Sequence, residues 1–285
     1  KKQVIGVFYN KDIFAANNLD VPQTYQAFLD VCEALKAKDI LPVSLGIKDG
    51  WPQIMLANMI AGTDLLAKDP TWGAERNADT VKFNNPDLVK AMQKYQFICQ
   101  NYAGDSLPSI TYTQMLEQFF TGKAAMLPMG SWVNAEVAKA QQSFEVGWFP
   151  MPGDNDAKVL SVFVNEGLSI SSTSKYPDVC KDFVKFFFTN TELYSDFLKS
   201  EQLFPTTKAA VPYDMIPLRK YIEEAISGMQ EVEGFESMTG DAAFLPGLKD
   251  YYTNKLTQNI ALGNDVATEL ANFDNEWTTA KEALN

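Results

Sequence analysis

The sequence predicts an α/β protein in which short buried strands alternate with amphipathic helices. Three observations support this fold class. Apolar runs of strand length, such as 4–9 and 124–129, recur along the chain. Between them lie segments whose apolar residues repeat at helical spacing, as in 25–37. Gly, Pro, Asn and Asp residues separate the segments. Such alternation predicts strand–helix units on largely parallel sheets.

The first half of the chain is predicted to begin with a buried strand and to continue through alternating helices and strands. Thr24 is expected to cap the first long helix, and Pro52 is expected in the first turn of the next one. Residues 62–83 are expected to be irregular. The predicted strands are 4–9, 40–45, 124–129 and 144–149, and the predicted helices are 25–37, 52–60, 87–101, 113–120 and 133–141.

The second half is predicted to contain two further strands and a series of longer helices. Residues 205–217 carry three prolines, which suits an extended connection, and 234–246 are expected to form a loop. The predicted strands are 159–164 and 168–171, and the predicted helices are 177–189, 191–200, 218–229, 247–262 and 265–284.

Length and charge narrow the possible functions. A chain of 285 residues fits one large domain or two moderate ones. Its content of 46% hydrophobic and 21% charged residues is typical of soluble globular proteins. The net charge of −12 argues against nucleic-acid binding, which needs clustered Lys and Arg. No apolar run approaches the about 20 residues that span a bilayer.

The absence of histidine excludes His-activated nucleophiles and His metal ligands. The three cysteines, Cys32, Cys99 and Cys180, lie far apart and form no C-x-x-C pair. Each lies among apolar neighbours and is expected to be a small buried side chain. No cofactor and no metal site are therefore predicted.

The stretch 119–132 carries the most specific pattern in the chain. A predicted helix ends near Gly122, a buried strand follows, and then Gly130 and Ser131 lead to Trp132. An indole placed just after a strand end can show its ring at the rim of a cleft. It can equally anchor the core beneath a loop, and the local residues leave both interpretations open.

This stretch resembles the F-x-x-G-K-A-A-M…G-x-W signature of the extracellular solute-binding proteins of ABC importers. The resemblance is to their carbohydrate-binding family, typified by maltose-binding protein. In that family the Trp of the signature stacks on sugar, which favours ligand contact for Trp132. Further segments resemble parts of the same family in the same order, namely 8–12, 22–29, 48–51 and 163–171.

The resemblance implies a type II periplasmic-binding-protein fold, of which this chain would hold mainly the second, C-terminal lobe. Residues 1–164 would form the main part of that lobe, and 165–211 would be a segment of the first lobe. Residues 212–285 would complete the second lobe with helices beside the hinge. Most of the first lobe would be missing from the chain. Helix 177–189 is then expected to expose an apolar face rich in phenylalanine.

The candidate binding residues combine aromatic rings with polar groups, as sugar sites do. Trp51 lies close to Asp49, whose carboxylate could accept hydrogen bonds from two vicinal hydroxyls. Asn165 and Glu166 stand where the family often has polar ligand contacts, and Phe244 is a candidate for a further platform. The predicted ligand-binding residues are Asp49, Trp51, Trp132, Asn165, Glu166 and Phe244.

Several of these residues also have a structural interpretation, which the sequence leaves open. Asp49 and Gly50 could form an ordinary turn, Trp51 could be a hydrophobic staple before a helix, and Phe244 could belong to the core. The other three tryptophans are expected to be structural: Trp72, Trp148 and Trp277.

The function implied by the resemblance is non-catalytic capture of a carbohydrate, expected to be an oligosaccharide, between two lobes. The partners would be this sugar and the transmembrane subunits of an ABC permease, with no nucleic acid. The protein would be exported to the periplasm or the outer face of the cytoplasmic membrane. A lipid anchor on the precursor would be its only membrane attachment, and the signal segment would lie outside this chain.

Two alternatives come from other functional classes. A glycoside hydrolase needs two carboxyl groups across a cleft, and Asp49 and Glu166 are the candidate pair. A protein-interaction module that retains this fold without its ligand is the other.

Overall fold

The computed structural model describes residues 2–154, 158–163, 167–207 and 211–284. Within these ranges strands and helices alternate around one sheet, so the predicted α/β class is confirmed. The strands are β1 (Gln3–Asn10), β2 (Leu41–Val43), β3 (Ala124–Gly130), β4 (Val146–Phe149), β5 (Val159–Phe163) and β6 (Gln230–Glu233).

The α-helices lie mostly where the apolar periodicity places them. They are α1 (Lys11–Ala16), α2 (Tyr25–Lys36), α3 (Gln53–Ala61), α4 (Trp72–Asn77), α5 (Pro86–Tyr102), α6 (Tyr112–Phe120), α7 (Val133–Lys139), α8 (Pro177–Thr189), α9 (Thr191–Glu201), α10 (Pro217–Ala225), α11 (Leu248–Tyr251), α12 (Thr257–Ala261) and α13 (Val266–Glu282). Single π-helical turns follow α3 at Gly62–Leu66 and α11 at Tyr252–Leu256.

Strand β1 lies in the middle of the sheet and pairs along both edges. The strand order is β2–β3–β1–β5–β6, and β4 also pairs with β1. One edge of β1 pairs with β3, with Ile5 opposite Gly130 and Tyr9 opposite Met126. β5 pairs with the first residues of β1 and β4 with its last ones, so these two strands share the other edge.

The strand directions correct the expectation of largely parallel pairing. β2 is parallel to β3 and β5 to β6, but β1 is antiparallel to β3, β4 and β5. Strands β2 to β6 therefore run in one direction and β1 runs in the other. Alternation predicts the order of elements along the chain, whereas pairing direction depends on which distant strands become neighbours. The carboxyl ends of β2, β3, β5 and β6 consequently lie at the same edge of the sheet.

Two predicted elements in the second half are wrong. The predicted strand 168–171 does not form, and Leu168 and Ile170 are 49% and 37% exposed, without a neighbouring strand. The predicted helix 218–229 ends earlier, at Ala225, and Gly228 then takes a φ of 76°. A glycine in this left-handed conformation ends helices, and the chain after it forms β6 beside β5.

The main core surrounds β1, all of whose residues are buried. Trp72, Trp148 and Trp277 are at most 2% exposed, which confirms their structural role. Cys32 and Cys99 are also buried, as expected. Cys180 is only partly buried, contrary to expectation, because no residue of α8 is buried. No helix in the described ranges is long and apolar enough to cross a membrane.

Helix α8 presents an aromatic face to solvent, as the resemblance led us to expect. Phe183 and Phe186 are 57% and 53% exposed. Phe187 instead packs edge-on against Tyr194 of α9, with ring centroids 5.9 Å apart. α9 belongs to a small second cluster of buried residues that is separate from the main core.

The contact between Gly6 and Trp148 gives a test of packing in the sheet. A Cβ atom on Gly6 would overlap the indole of Trp148. We expect Gly6→Ala to lower the free energy of unfolding by about 1–3 kcal/mol, the usual cost of overpacking, in urea denaturation followed by circular dichroism. Gly167→Ala is the control, because a Cβ atom there meets no described residue within 4 Å. Equal stability of the two variants would contradict the packing argument.

Candidate functional site

An open cavity of about 630 Å³ lies at the carboxyl ends of the parallel strands. Trp51 follows β2, Trp132 follows β3, Phe163 ends β5 and Glu236 follows β6. Ligands of open α/β proteins commonly bind at this edge of the sheet. The lining residues are Asp49, Trp51, Ile54, Met55, Tyr112, Trp132, Phe163, Glu236, Lys249, Asp250, Thr253 and Asn254.

The end of β3 fixes the position of Trp132. Ser131 is fully buried: its amide donates to the Val4 carbonyl at 2.8 Å, and its hydroxyl donates to Gln3 Oε1 at 2.7 Å. The indole of Trp132 folds back over Gly130, where a Cβ atom would overlap the ring. The Gly-Ser-Trp order therefore presents a partly buried indole to the cavity.

The loop before Trp51 is held against the helical segment after α11. Gln53 Nε2 donates to the carbonyls of Gly50 and Thr253, both at 2.8 Å. Gly50 has a φ of 79°, which side-chain-bearing residues rarely adopt, and a Cβ atom there would overlap Asn254. These constraints place Trp51 at the cavity wall.

Trp51, Tyr112 and Trp132 together form one surface, the aromatic wall. The ring of Trp51 lies 4.8 Å from that of Tyr112 and 6.0 Å from that of Trp132, between centroids. Trp132 Nε1 donates to the Tyr112 hydroxyl at 3.0 Å. Burial raises the pKa of Tyr112 to about 12, so this phenol is neutral at physiological pH. The wall is therefore apolar and uncharged.

Asp49 lies beside the aromatic wall, at the N-terminus of α6. Its Oδ2 accepts a hydrogen bond from the backbone amide of Tyr112 at 2.7 Å, where a carboxylate is also favoured by the helix dipole. Its side chain is exposed, and Oδ1 has no hydrogen-bond partner among the described residues. One oxygen is thus fixed by the protein and the other is available.

Tyr112 is a site residue that the sequence reasoning missed. Thr111 and Gln114 form a capping box at the start of α6, with Tyr112 as the first helical residue. The pattern Thr-x-x-Gln marks a helix start, so it could have located Tyr112 at the end of the helix that faces Asp49.

The rest of the lining is polar and includes a buried carboxyl group. Glu236 is 5% exposed, and its Oε2 accepts from Asn58 Nδ2 at 2.6 Å. Burial raises the pKa of Glu236, while its own backbone amide, the hydrogen bond from Asn58 and the charge of Lys249 oppose this rise. In the part of the chain that the structure describes, no group of three or more Cys, Asp or Glu side chains is placed to hold a metal ion.

The structure brings together Asp49, Trp51 and Trp132 from the predicted site. Asn165 and Glu166 lie outside the described residues. Phe244, the remaining predicted residue, does not line this cavity. It stacks on Phe235, with centroids 6.1 Å apart, and packs against the main core, so its placement is that of a core residue.

Comparison with known proteins identifies the family. Residues 2–192 match the sequence pattern of the bacterial extracellular solute-binding proteins. The chain belongs to this family. The matched range contains Asp49 and the whole aromatic wall, whereas Glu236 lies beyond it.

Individual relatives are similar at low identity. The multiple sugar-binding protein of Streptococcus mutans serotype c is 28% identical over 197 residues, which cover 65% of this chain and 45% of that protein. The sn-glycerol-3-phosphate-binding periplasmic protein of Shigella dysenteriae serotype 1 is 30% identical over 156 residues, covering 53% and 34% respectively. This chain thus spans less than two thirds of the length of these curated relatives.

Among solved structures, a chitin oligosaccharide binding protein superimposes with a TM-score of 0.85 at 21% identity. The match covers 100% of this chain and 71% of that one. At this identity the similarity establishes the fold alone, and it confirms the predicted periplasmic-binding-protein fold.

The hydrogen bond from Trp132 to Tyr112 can be tested through stability. Tyr112→Phe removes the acceptor of the indole N–H, and we expect it to lower the free energy of unfolding by about 0.5–1.5 kcal/mol. Urea denaturation measures the change. Tyr176→Phe is the control, because Tyr176 is 70% exposed and should tolerate the loss of its hydroxyl. If Tyr112→Phe were as stable as the wild type, this hydrogen bond would add no net stability.

Proposed function

We propose that this chain binds a neutral oligosaccharide in the cavity and holds it without altering it, for delivery to an ABC permease. The observation that carries the proposal is the aromatic wall with the free Oδ1 of Asp49 beside it. The C–H faces of sugar rings pack on aromatic rings, and sugar hydroxyls need acceptors. Both kinds of group meet at this cavity. Asn165 and Glu166 are proposed to add polar contacts.

The charged groups of the lining favour an uncharged ligand. Asp49, Glu236 and Asp250 contribute carboxyl groups, and Lys249 contributes the single ammonium group of the described lining. Sites for phosphate instead use several Arg or Lys groups or helix N-termini. One relative is named for binding sn-glycerol 3-phosphate, and we do not propose that ligand for this chain.

Export and permease docking are proposed from the family. An extracellular solute-binding protein meets its ligand outside the cytoplasmic membrane. Closure of two lobes around a hinge would convert sugar binding into a shape that the permease recognises. A lipid anchor on the precursor would keep such a protein at the membrane.

The proposal is tested with a panel of neutral trisaccharides, namely chitotriose, maltotriose, raffinose and xylotriose, with sn-glycerol 3-phosphate as the charged comparison. Isothermal titration calorimetry should detect binding of at least one trisaccharide and no binding of sn-glycerol 3-phosphate. Trp51→Ala and Trp132→Ala should each weaken trisaccharide binding about 10-fold to 100-fold, the range for aromatic anchors. Tyr176→Ala, which changes an exposed aromatic residue outside the cavity, should bind as the wild type does.

Two results would contradict this function. One is failure of every trisaccharide to bind the wild type. The other is time-dependent cleavage of the glycans, detected by mass spectrometry and abolished by Asp49→Asn or Glu166→Gln, which would favour a glycoside hydrolase. Because both tryptophans also pack on the core, melting temperatures must be measured for each variant, so that lost affinity is not confused with unfolding.

We also propose that residues 165–211 belong to a lobe separate from that of the sheet, which 1–164 and 212–285 would form. The small cluster centred on α9 is separate from the main core, and α8 has no buried residue. The exposed face of α8 would then pack against other residues of its own lobe.

The exposed face of α8 predicts self-association of this chain on its own. We expect sedimentation velocity to show oligomers that grow with concentration, because a contiguous apolar patch favours association. The double change Phe183→Ser and Phe186→Ser should restore a monomer. Leu262→Ser, which alters an equally exposed apolar residue outside α8, should not. A wild-type chain that stays monomeric across a wide concentration range would argue against this lobe assignment.

A further inference from the structure

Glu236 lines the cavity but keeps one carboxyl oxygen without a partner. It lies in the 3-10 turn Phe235–Ser237, directly after β6, and is 5% exposed. Asn58 donates to its Oε2, whereas no described residue donates a hydrogen bond to Oε1, which is buried. An unpaired buried acceptor destabilises the folded protein, so a native structure that keeps one calls for a reason.

A chain of hydrogen bonds fixes which oxygen is left free. The Tyr252 hydroxyl donates to Asn58 Oδ1 at 2.8 Å, so the Asn58 amide must present its Nδ2 to Glu236. Asn58 and Tyr252 are 1% and 2% exposed, so these hydrogen bonds are shielded from water. Gly234 permits the close approach, since a Cβ atom there would lie 2.6 Å from Asn58 Nδ2. The carboxyl group is therefore held in one orientation, with Oε1 as the remaining acceptor.

The ammonium group of the described lining does not occupy this acceptor. Lys249 lines the same cavity, and its charge favours the ionised form of Glu236. Within the described ranges no hydrogen bond or ion pair joins the two side chains, and Lys249 is exposed. Lys249 therefore leaves Oε1 as a buried acceptor without a partner, in a residue that lines the cavity.

We propose that Glu236 is a specificity-determining residue of the cavity, whose Oε1 accepts a hydrogen bond from a hydroxyl group of the bound oligosaccharide. This inference rests on the proposed function and adds a contact to it. Binding would satisfy an acceptor that is unpaired in the free protein. A glycan without a hydroxyl at this point would leave the acceptor unpaired, and one with a carboxylate there would be repelled.

Glu236→Gln tests the contact with little change in shape. Glutamine can keep an oxygen for Asn58 Nδ2, but it places an amide donor where Oε1 was. We expect the affinity for whichever of chitotriose, maltotriose, raffinose and xylotriose binds the wild type most tightly to fall about 10-fold or more, because an amide donor replaces the acceptor of the sugar hydroxyl. The melting temperature should change little, because glutamine keeps the size of the side chain and an oxygen for Asn58 Nδ2.

Glu269→Gln is the matched control. Glu269 is 7% exposed and lies outside the cavity, and its two oxygens accept from Asn259 and Asn264. Glu269 undergoes the same chemical change outside the cavity. The affinity of the Glu269→Gln variant for the same trisaccharide should therefore equal that of the wild type. Equal losses of affinity in both variants would overturn the proposal in favour of a general structural effect.

Monodeoxy analogues of the same trisaccharide identify the hydroxyl. One analogue should bind the wild type about 10-fold or more weakly and should lose little further affinity in Glu236→Gln, because the two changes remove one shared contact. If every analogue lost as much affinity in Glu236→Gln as in the wild type, no hydroxyl would share a contact with Glu236, and the proposal would be overturned.

A crystal structure of the wild type with this sugar needs no variant, and it should place a sugar hydroxyl within hydrogen-bonding distance of Oε1. A sugar bound elsewhere in the cavity would overturn the proposal. Unchanged affinity in Glu236→Gln would reject this contact and leave the proposed function standing. Failure of all four sugars to bind the wild type would reject both.

Discussion

The position of β1 is the constraint on which the rest of the structure depends. Every residue of this strand is buried, and both of its edges are hydrogen-bonded, to β3 on one side and to β4 and β5 on the other. Because β1 runs against all of its neighbours, those neighbours run alike. Residues that are far apart in sequence, such as Trp51, Trp132 and Glu236, can therefore follow strands that end at one edge of the sheet.

Helix α3 links the two sides of the cavity through buried polar groups. All of its residues are buried, and two of them carry amide side chains. Gln53 bonds to the carbonyl of Gly50, in the loop that carries Trp51, while Asn58 bonds to Glu236 and Tyr252. Hydrogen bonds shielded from water hold geometry more strictly than apolar contacts, which tolerate sliding. The distance between the aromatic wall and the buried carboxyl group is therefore set by one helix.

Local patterns locate part of the site, and tertiary pairing decides the remainder. A strand, a Gly-Ser turn and an indole within one short stretch predict that Trp132 follows a strand end, whereas the choice between cleft and core rests on the resemblance. The position of Tyr112 could have been predicted, since its capping box is visible in the sequence. Glu236 could not be predicted, because its place at the cavity depends on the pairing of β6 with β5 and on Asn58, which is far away in sequence. Phe244 lies outside the cavity because the turn directs its ring toward neighbouring core rings, which the local sequence does not reveal.

The turn after β6 shows why the cavity can vary while the core remains. In a 3-10 turn successive side chains point about 120° apart, so neighbours in sequence face different surroundings. Phe235 is fully buried and contacts Trp72, whereas Glu236 lines the cavity. A change at Phe235 would disturb the packing that positions the whole turn. A change at Glu236 alters the polar lining and leaves that packing in place. The polar lining of the cavity can therefore change at Glu236 without loss of the fold.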